Sequence, residues 1–185
     1  MTIWTEKTLG DVTSLMTKGI PPKYASKEST DTIYVLNQKC NRNFEISYSD
    51  ARLHCTSQKT VPNEKMLRDG DVLINSTGTG TAGRIAQLMY VPTPTTIDGH
   101  MILLRPTDEI DSIYYGYAIK AFQSQIEGFA EGSTGQTEIN RKRLQDEIII
   151  RFPTDKAVQK SIACMLFNID SKIRINKSIN KNLAA

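Results

Sequence analysis

After Pro153 this 185-residue chain contains neither glycine nor proline, and that segment constrains the fold more than any other feature. Selected side chains recur in it every seven residues, in two series: Ile162, Ile169, Asn176 and Leu183, then Leu166, Ile173 and Asn180. The series interleave at spacings of four and three, which is the pattern of the buried seam of a coiled coil. The segment therefore predicts a long helix that pairs with another helix.

Two asparagines, Asn176 and Asn180, lie within this seam. A buried Asn at such a position fixes register and partner choice at a cost in stability. A single amphipathic helix lying on its own domain is the alternative interpretation of the same pattern. We expect residues 155–185 to form a coiled-coil spacer or dimerisation helix and residues 1–154 to form a domain before it.

Short apolar runs alternate with clusters of Gly, Pro, Asn and Thr throughout residues 1–154. The runs predict short strands, because they are rich in β-forming residues and end at strand breakers. The predicted strands are 32–36, 71–74, 84–91, 101–104 and 147–150. Residues 112–122 predict a helix that continues toward Ile126. No regular βαβ alternation is present, so the predicted fold class is α+β.

Charge is distributed unevenly along the chain. Residues 155–185 carry six Lys/Arg and two Asp, a net charge of +4, so residues 1–154 carry 17 basic and 18 acidic side chains. A DNA-binding domain usually shows a basic patch, and composition alone does not reveal one here. The sequence also lacks an apolar run of roughly 18 residues and a secretory signal, so we expect a cytoplasmic location and no contact with a membrane.

Cysteine and histidine usage does not indicate a metal site. The three cysteines, Cys40, Cys55 and Cys164, form no C-x-x-C pair, and the two histidines, His54 and His100, stand apart in sequence. We expect unpaired thiols in a reducing compartment and histidines with structural roles. The sequence thus predicts no metal ion and no cofactor.

Residues 78–83 match the G-x-G-x-x-G pattern of a dinucleotide-binding turn. The context does not support this interpretation, because Pro92 would stop the helix of the required βαβ unit after a few residues. A glycine-rich hairpin between strands 72–75 and 84–91 suits these breakers better. Its loop would carry Ser76, Thr77, Thr79 and Arg84, whose hydroxyl and guanidinium groups can contact phosphates or base edges.

The densest basic cluster, Arg141, Lys142 and Arg143, follows a loop rich in hydrogen-bonding groups. A solvated helix start is the simplest interpretation of such a cluster. Phosphate contact is the alternative, with Gln136 or Asn140 reaching a base, because amide side chains read adenine in the major groove. We find no nucleophile, base and orienting group in a catalytic pattern, so no enzymatic activity is predicted.

Several blocks, in order, resemble one known family. Near the start is 8–12, Thr-Leu-Gly-Asp-Val. The glycine-rich block 70–86 follows, and then Gly135-Gln136 with Ile139-Asn140 and Leu144. The final blocks are 148–153, leading into 158–163, and 169–173, followed by Asn176. This order is similar to that of the specificity (S) subunits of type I restriction–modification systems.

The resemblance implies an α+β target-recognition domain that reads one half of a bipartite site in double-stranded DNA, followed by a spacer helix. It also implies methyltransferase (M) subunits and a restriction (R) subunit as partners that supply the chemistry. Family members usually carry two recognition domains and two helices, whereas this chain has one of each. We therefore expect a homodimer or pairing with another S chain. The alternative function is a non-reading interaction protein that pairs with a full S subunit or with M subunits and changes their specificity.

Overall fold

The computed structural model describes residues 2–132 and 137–183. The described α-helices are α1 (Ser112–Lys120), α2 (Gln123–Glu127), α3 (Arg141–Glu147) and α4 (Lys156–Leu183). The described strands are β1 (Trp4–Thr8), β2 (Thr13–Lys18), β3 (Tyr24–Ala25), β4 (Thr32–Leu36), β5 (Asn41–Arg42), β6 (Glu45–Ile46), β7 (Arg52–Cys55), β8 (Val72–Asn75), β9 (Ile85–Gln87), β10 (Thr95–Ile97), β11 (Met101–Pro106), β12 (Ala130–Glu131), β13 (Glu138–Ile139) and β14 (Ile149–Pro153).

An antiparallel sheet with strand order β2-β11-β8-β9 lies at the centre of the domain. Successive side chains of a strand point to opposite faces, and here both faces are covered. Ile74 and Ile102 pack into a core shared with α1, α2 and β14. Leu73 and Leu103 pack into a second core shared with β4 and β10. Burial on both faces explains why β8 and β11 read as continuous apolar runs.

A second sheet, with strand order β10-β4-β7-β3, lies against the second core. Strands β10 and β4 are parallel, and the other pairs are antiparallel. Strands β1 and β14 pair with each other, so the N-terminal strand lies beside the segment that leads into α4. The predicted mixture of short strands and helices with a long C-terminal helix is confirmed.

Three predicted elements differ most from the structure. The strand predicted at 84–91 is only β9, because its partner β8 begins at Val72, opposite Gln87. The strand predicted at 147–150 starts at Ile149, because Asn140 caps a helix that continues to Glu147. The helix predicted from 112 toward 126 is divided into α1 and α2. It breaks where the Phe122 N–H donates to the Ile119 carbonyl at 2.9 Å, the tighter spacing of a helix end.

Buried and half-buried side chains fix the first half of α4 on the domain. The buried Gln159 amide accepts from the Asp111 N–H at 2.6 Å and donates to the Pro153 carbonyl at 2.7 Å. Farther along, the Asp170 carboxylate accepts from Lys120 at 2.9 Å and from the Tyr117 hydroxyl at 3.1 Å. Burial alone would raise the pKa of Asp170, but the Lys120 hydrogen bond and charge lower it overall. Burial and the Asp170 carboxylate raise the pKa of Tyr117 to about 12.

Candidate nucleic-acid interface and helix surface

The glycine-rich segment forms the connection of the β8–β9 hairpin, with Ile74 opposite Ile85, which confirms the predicted hairpin. Gly78, Gly80 and Gly83 have φ values of 106°, 69° and 87°, a region that favours glycine. The Ala82 N–H donates to the Gly78 carbonyl at 2.9 Å. A strand rather than a helix follows the loop, so a dinucleotide-binding turn is ruled out here.

Buried amide side chains form hydrogen bonds at the base of this loop. Asn41 Nδ2 donates to Asn75 Oδ1 at 3.2 Å and to the Arg84 carbonyl at 2.8 Å. Asn75 Nδ2 donates to the Gln38 carbonyl at 3.2 Å. Ser76 is fully buried beside them, so its hydroxyl does not reach the surface and cannot contact DNA in this conformation.

A second predicted segment lies directly beside the loop. The Ile139 N–H donates to the Ser76 carbonyl at 2.7 Å, and Thr77 forms an antiparallel bridge with Glu138. Residues 77–84 and 138–142 therefore meet at one side of the domain, although some sixty positions separate them in sequence. Gln136, predicted to reach a base, lies outside the described residues.

The predicted residues differ in how freely they face solvent. Thr79 is exposed, whereas Arg84 donates from its guanidinium to the Gly80 carbonyl at 3.0 Å. Asn140 caps α3: its Oδ1 accepts from the Lys142 N–H at 3.0 Å, and its Nδ2 donates to Glu131 at 2.9 Å. The structure thus gives the Asn140 amide a local structural role.

The three residues of the basic cluster, Arg141–Arg143, also differ in how freely they face solvent. Arg143 Nε donates to Glu147 at 2.7 Å, and the guanidinium also pairs with Glu131 at 3.3 Å. Hydrogen bonds to both carboxylates raise the pKa of Arg143. Arg141 and Lys142 are exposed and form no ion pair with any other described residue. Two of the three side chains are therefore available to a phosphate.

Two polar residues that the sequence did not single out as DNA contacts also lie at this surface. Gln38 Nε2 donates to the Thr77 carbonyl at 2.8 Å and contacts the Thr77 hydroxyl. That hydroxyl lies 3.0 Å from Nδ1 of the exposed His100. No sequence signal links these residues, because they come from the turn after β4 and the turn before β11. We call the surface formed by Gln38, residues 77–84, His100 and residues 138–142 the polar edge.

The predicted seam of α4 is mostly uncovered. Ile162 packs against the domain core, whereas Ile169 and Ile173 are 55% and 45% exposed. The other seam residues are exposed as well: Leu166, Asn176, Asn180 and Leu183. A groove of about 520 Å³ runs beside this face and includes Ile173 and Tyr90 in its lining. One face of α4 thus packs on the domain, and an adjacent face carries apolar side chains that are 38% to 80% exposed.

Neither a metal site nor a membrane-spanning helix is found within residues 2–132 and 137–183. No group of three or more His, Cys, Asp or Glu side chains lies close enough together there to hold a metal ion. The helices of this part of the chain are too short or too polar to cross a membrane.

Several solved structures have a similar fold. The S subunit of the type I restriction-modification system from M. genitalium superposes with a TM-score of 0.64 at 19% identity, over 96% of this chain and 41% of that one. The HsdS subunit from Thermoanaerobacter tengcongensis gives 0.60 at 18% identity, over 94% and 39%. A chain from a study of assembly and conformational transition in a type I R-M system gives 0.63 at 21% identity, over 94% and 40%.

The chain thus spans about two fifths of the length of the similar structures. No curated protein has a significantly similar sequence. The family model "Type I restriction modification DNA specificity domain" matches residues 1–185, the whole chain. The chain therefore belongs to the type I restriction-modification DNA specificity domain family.

Proposed function

We propose that this chain reads one half of a bipartite DNA site through the polar edge. The observation that carries the proposal is the meeting of two segments distant in sequence, the glycine-rich loop and residues 138–142, at one side of the domain. Exposed Arg141 and Lys142 suit phosphate contact, which positions a protein on DNA, while polar side chains of the loop face the base edges. The contacting residues are Thr77, Thr79, Arg84, Arg141 and Lys142, with Gln136 and Asn140 as further candidates.

The second part of the proposal concerns α4, which pairs with the corresponding helix of another specificity chain. Its exposed seam supports this, because an uncovered apolar stripe on a long helix is stabilised by a partner. The 28 residues of α4 span about 42 Å at ~1.5 Å per residue. An antiparallel pair would hold two recognition domains roughly one turn of B-DNA apart. Two copies of this chain would then read a palindromic site with a fixed gap.

In this proposal the partner subunits carry out methylation and cleavage. The M subunits methylate adenine and the R subunit cleaves, while this chain directs them to the site. We expect the purified chain to show no nuclease or methyltransferase turnover. The test is to purify the chain with its M subunit and map the methylated sites. A methylated motif that changes when the polar edge is mutated supports the proposal.

The exposed seam also favours a second candidate, a non-reading chain that pairs with a full S subunit. In that case Ile169→Asp would abolish its effect on the methylation pattern, whereas Arg141→Ala with Lys142→Ala, which removes only phosphate contacts, would leave the extent of methylation unchanged. DNA reading predicts an effect of both changes.

A further inference from the structure

A lysine of α1 joins α4 to the β5–β6 hairpin. Lys120 Nζ donates to the Asp170 carboxylate at 2.9 Å, and the same ammonium lies 4.6 Å from the centroid of the Phe44 ring. We propose that these three side chains, the Phe44–Lys120–Asp170 clamp, fix the direction of α4 on the domain and thereby the length of the gap between the two halves of the DNA site. The proposal rests on the proposed function and names the residues that determine the spacing.

Two points of attachment define the direction of a rigid helix. The buried Gln159 side chain is the first, through its hydrogen bonds to Asp111 and Pro153. Asp170 is the second, eleven residues farther along, or about 16 Å at ~1.5 Å per residue. From residue 171 to Leu183, no hydrogen bond or ion pair joins α4 to the other described residues of the domain. Without the clamp, α4 would therefore be held only by the contacts of its first two turns.

The length of the helix makes the gap sensitive to this direction. Gln159 and Leu183 are 24 residues apart, so a tilt of about 10° over roughly 36 Å moves the end of the helix by roughly 6 Å. In an antiparallel pair the partner domain lies near that end and moves with it. Base pairs of B-DNA are about 3.4 Å apart. The displacement therefore corresponds to nearly two base pairs.

The turn that carries Phe44 supports a positioning role. Asn43 and Phe44 connect β5 to β6 with φ values of 54° and 63°. Glycine is the residue favoured at the second position of such a left-handed turn, and a bulky side chain there is strained. The aromatic ring instead faces the Lys120 ammonium, and a cation is attracted to the face of an aromatic ring. The strained residue thus contributes directly to the clamp.

The hairpin that carries this turn also supports the glycine-rich loop. Its first residue, Asn41, is buried and donates to the Arg84 carbonyl at 2.8 Å and to Asn75 Oδ1 at 3.2 Å. Lys120 therefore connects α4 to an element that also holds the polar edge in place. For this reason the clamp sets the direction of α4 relative to the surface that reads DNA.

The test uses the full chain in complex with its M subunits. The halves of the motif selected by the wild-type complex are placed in a double-stranded DNA library with gaps of every length around the selected one, and bound DNA is sequenced. The variants are Lys120→Met, Asp170→Asn and Phe44→Leu. Lys7→Met is the matched control, because Lys7 forms an ion pair of similar exposure with Glu109 that does not involve α4. Thermal unfolding and light scattering report folding and helix pairing separately.

We expect the wild-type complex and Lys7→Met to select one gap length. Lys120→Met and Asp170→Asn should raise the share of gaps one or two base pairs longer or shorter by about 5- to 10-fold, the effect of losing a half-exposed, hydrogen-bonded ion pair. Base preference within the halves should not change. Phe44→Leu, which keeps an apolar side chain but no aromatic ring, should broaden the distribution less.

A single unchanged gap for folded Lys120→Met and Asp170→Asn complexes would overturn the clamp and leave DNA reading intact. Equal broadening by Lys7→Met would also overturn the clamp, because the effect would then be general to the domain. A wild-type complex that selects no bipartite motif would overturn the proposed function and this proposal together.

Discussion

Replacing Ile169 by Asp should separate paired α4 helices. The Ile169 side chain is 55% exposed, and full burial of an Ile stabilises by about 1.5–3 kcal/mol. Covering the remaining half in a dimer is therefore worth about 1–1.5 kcal/mol per chain, or ~2–3 kcal/mol for two copies. Loss of that burial alone raises the dimer Kd by at least ~30-fold. The buried, unpaired Asp charge adds to the effect.

The helix offers a matched control in Ile175→Asp. Ile175 is 58% exposed, close to the value for Ile169, but six residues place it about 240° around the helix. Light scattering or sedimentation equilibrium from about 1 to 100 µM, a range suited to a micromolar Kd, should show weakened association for Ile169→Asp only. Equal effects of both variants would refute the assigned seam. A wild-type chain that stays monomeric with and without its M subunit would refute self-pairing.

Three further predictions follow from the charges. Arg141→Ala with Lys142→Ala should lower DNA affinity for every sequence and flatten the slope of log K against log salt by about 1.8, or ~0.9 per lost phosphate contact. Lys160→Ala, at another exposed lysine, is the control for this double variant. An unchanged slope would show that Arg141 and Lys142 are solvated and contact no phosphate. Because α4 carries six Lys/Arg and one Asp, self-association should tighten as salt rises, opposite to DNA binding; weakening with salt would contradict pairing of two like-charged helices. Asp170→Asn should lower the Tm above pH 3.8, the ordinary aspartate pKa. Because the folded-state pKa of Asp170 is lower, the difference from wild type should vanish as the pH falls through it. A difference that persists at the lowest pH would exclude the Lys120 ion pair as its cause.

Strands whose sequences are continuous apolar runs between clear strand breakers could be predicted well. β4 has the predicted bounds, and β8 and β11 lie within one or two residues of theirs, because burial on both faces leaves an unbroken signal. β1 has no such signal, because it carries the charged side chains Glu6 and Lys7. It forms a strand by pairing with β14, which is distant in sequence. Local pattern therefore finds the central strands and misses those that depend on a distant partner.

Prediction of the candidate site is limited in the same way to features that are local in sequence. The glycine-rich hairpin could be predicted because its breakers and flanking strands are adjacent in sequence. The ion pairs of Arg143 could not, because Glu131 reaches it only through the folded β12–β13 segment. Gln38 and His100 join Thr77 across 39 and 23 residues. The sequence therefore predicts two segments of the polar edge, while tertiary contacts determine which of their side chains are free.

The central claim, that this chain reads half of a bipartite site, is tested most directly by mapping methylated bases after the chain is expressed with its M subunit in otherwise unmethylated DNA. The predicted result is one motif of two short specific halves separated by a gap of fixed length, palindromic when α4 pairs two copies. Variants of the loop side chains Thr77, Thr79 and Arg84 should change the bases within the halves, and Ile169→Asp should abolish methylation of the bipartite motif. Methylation without sequence preference, or a motif that the Thr77, Thr79 and Arg84 variants leave unchanged, would contradict the claim.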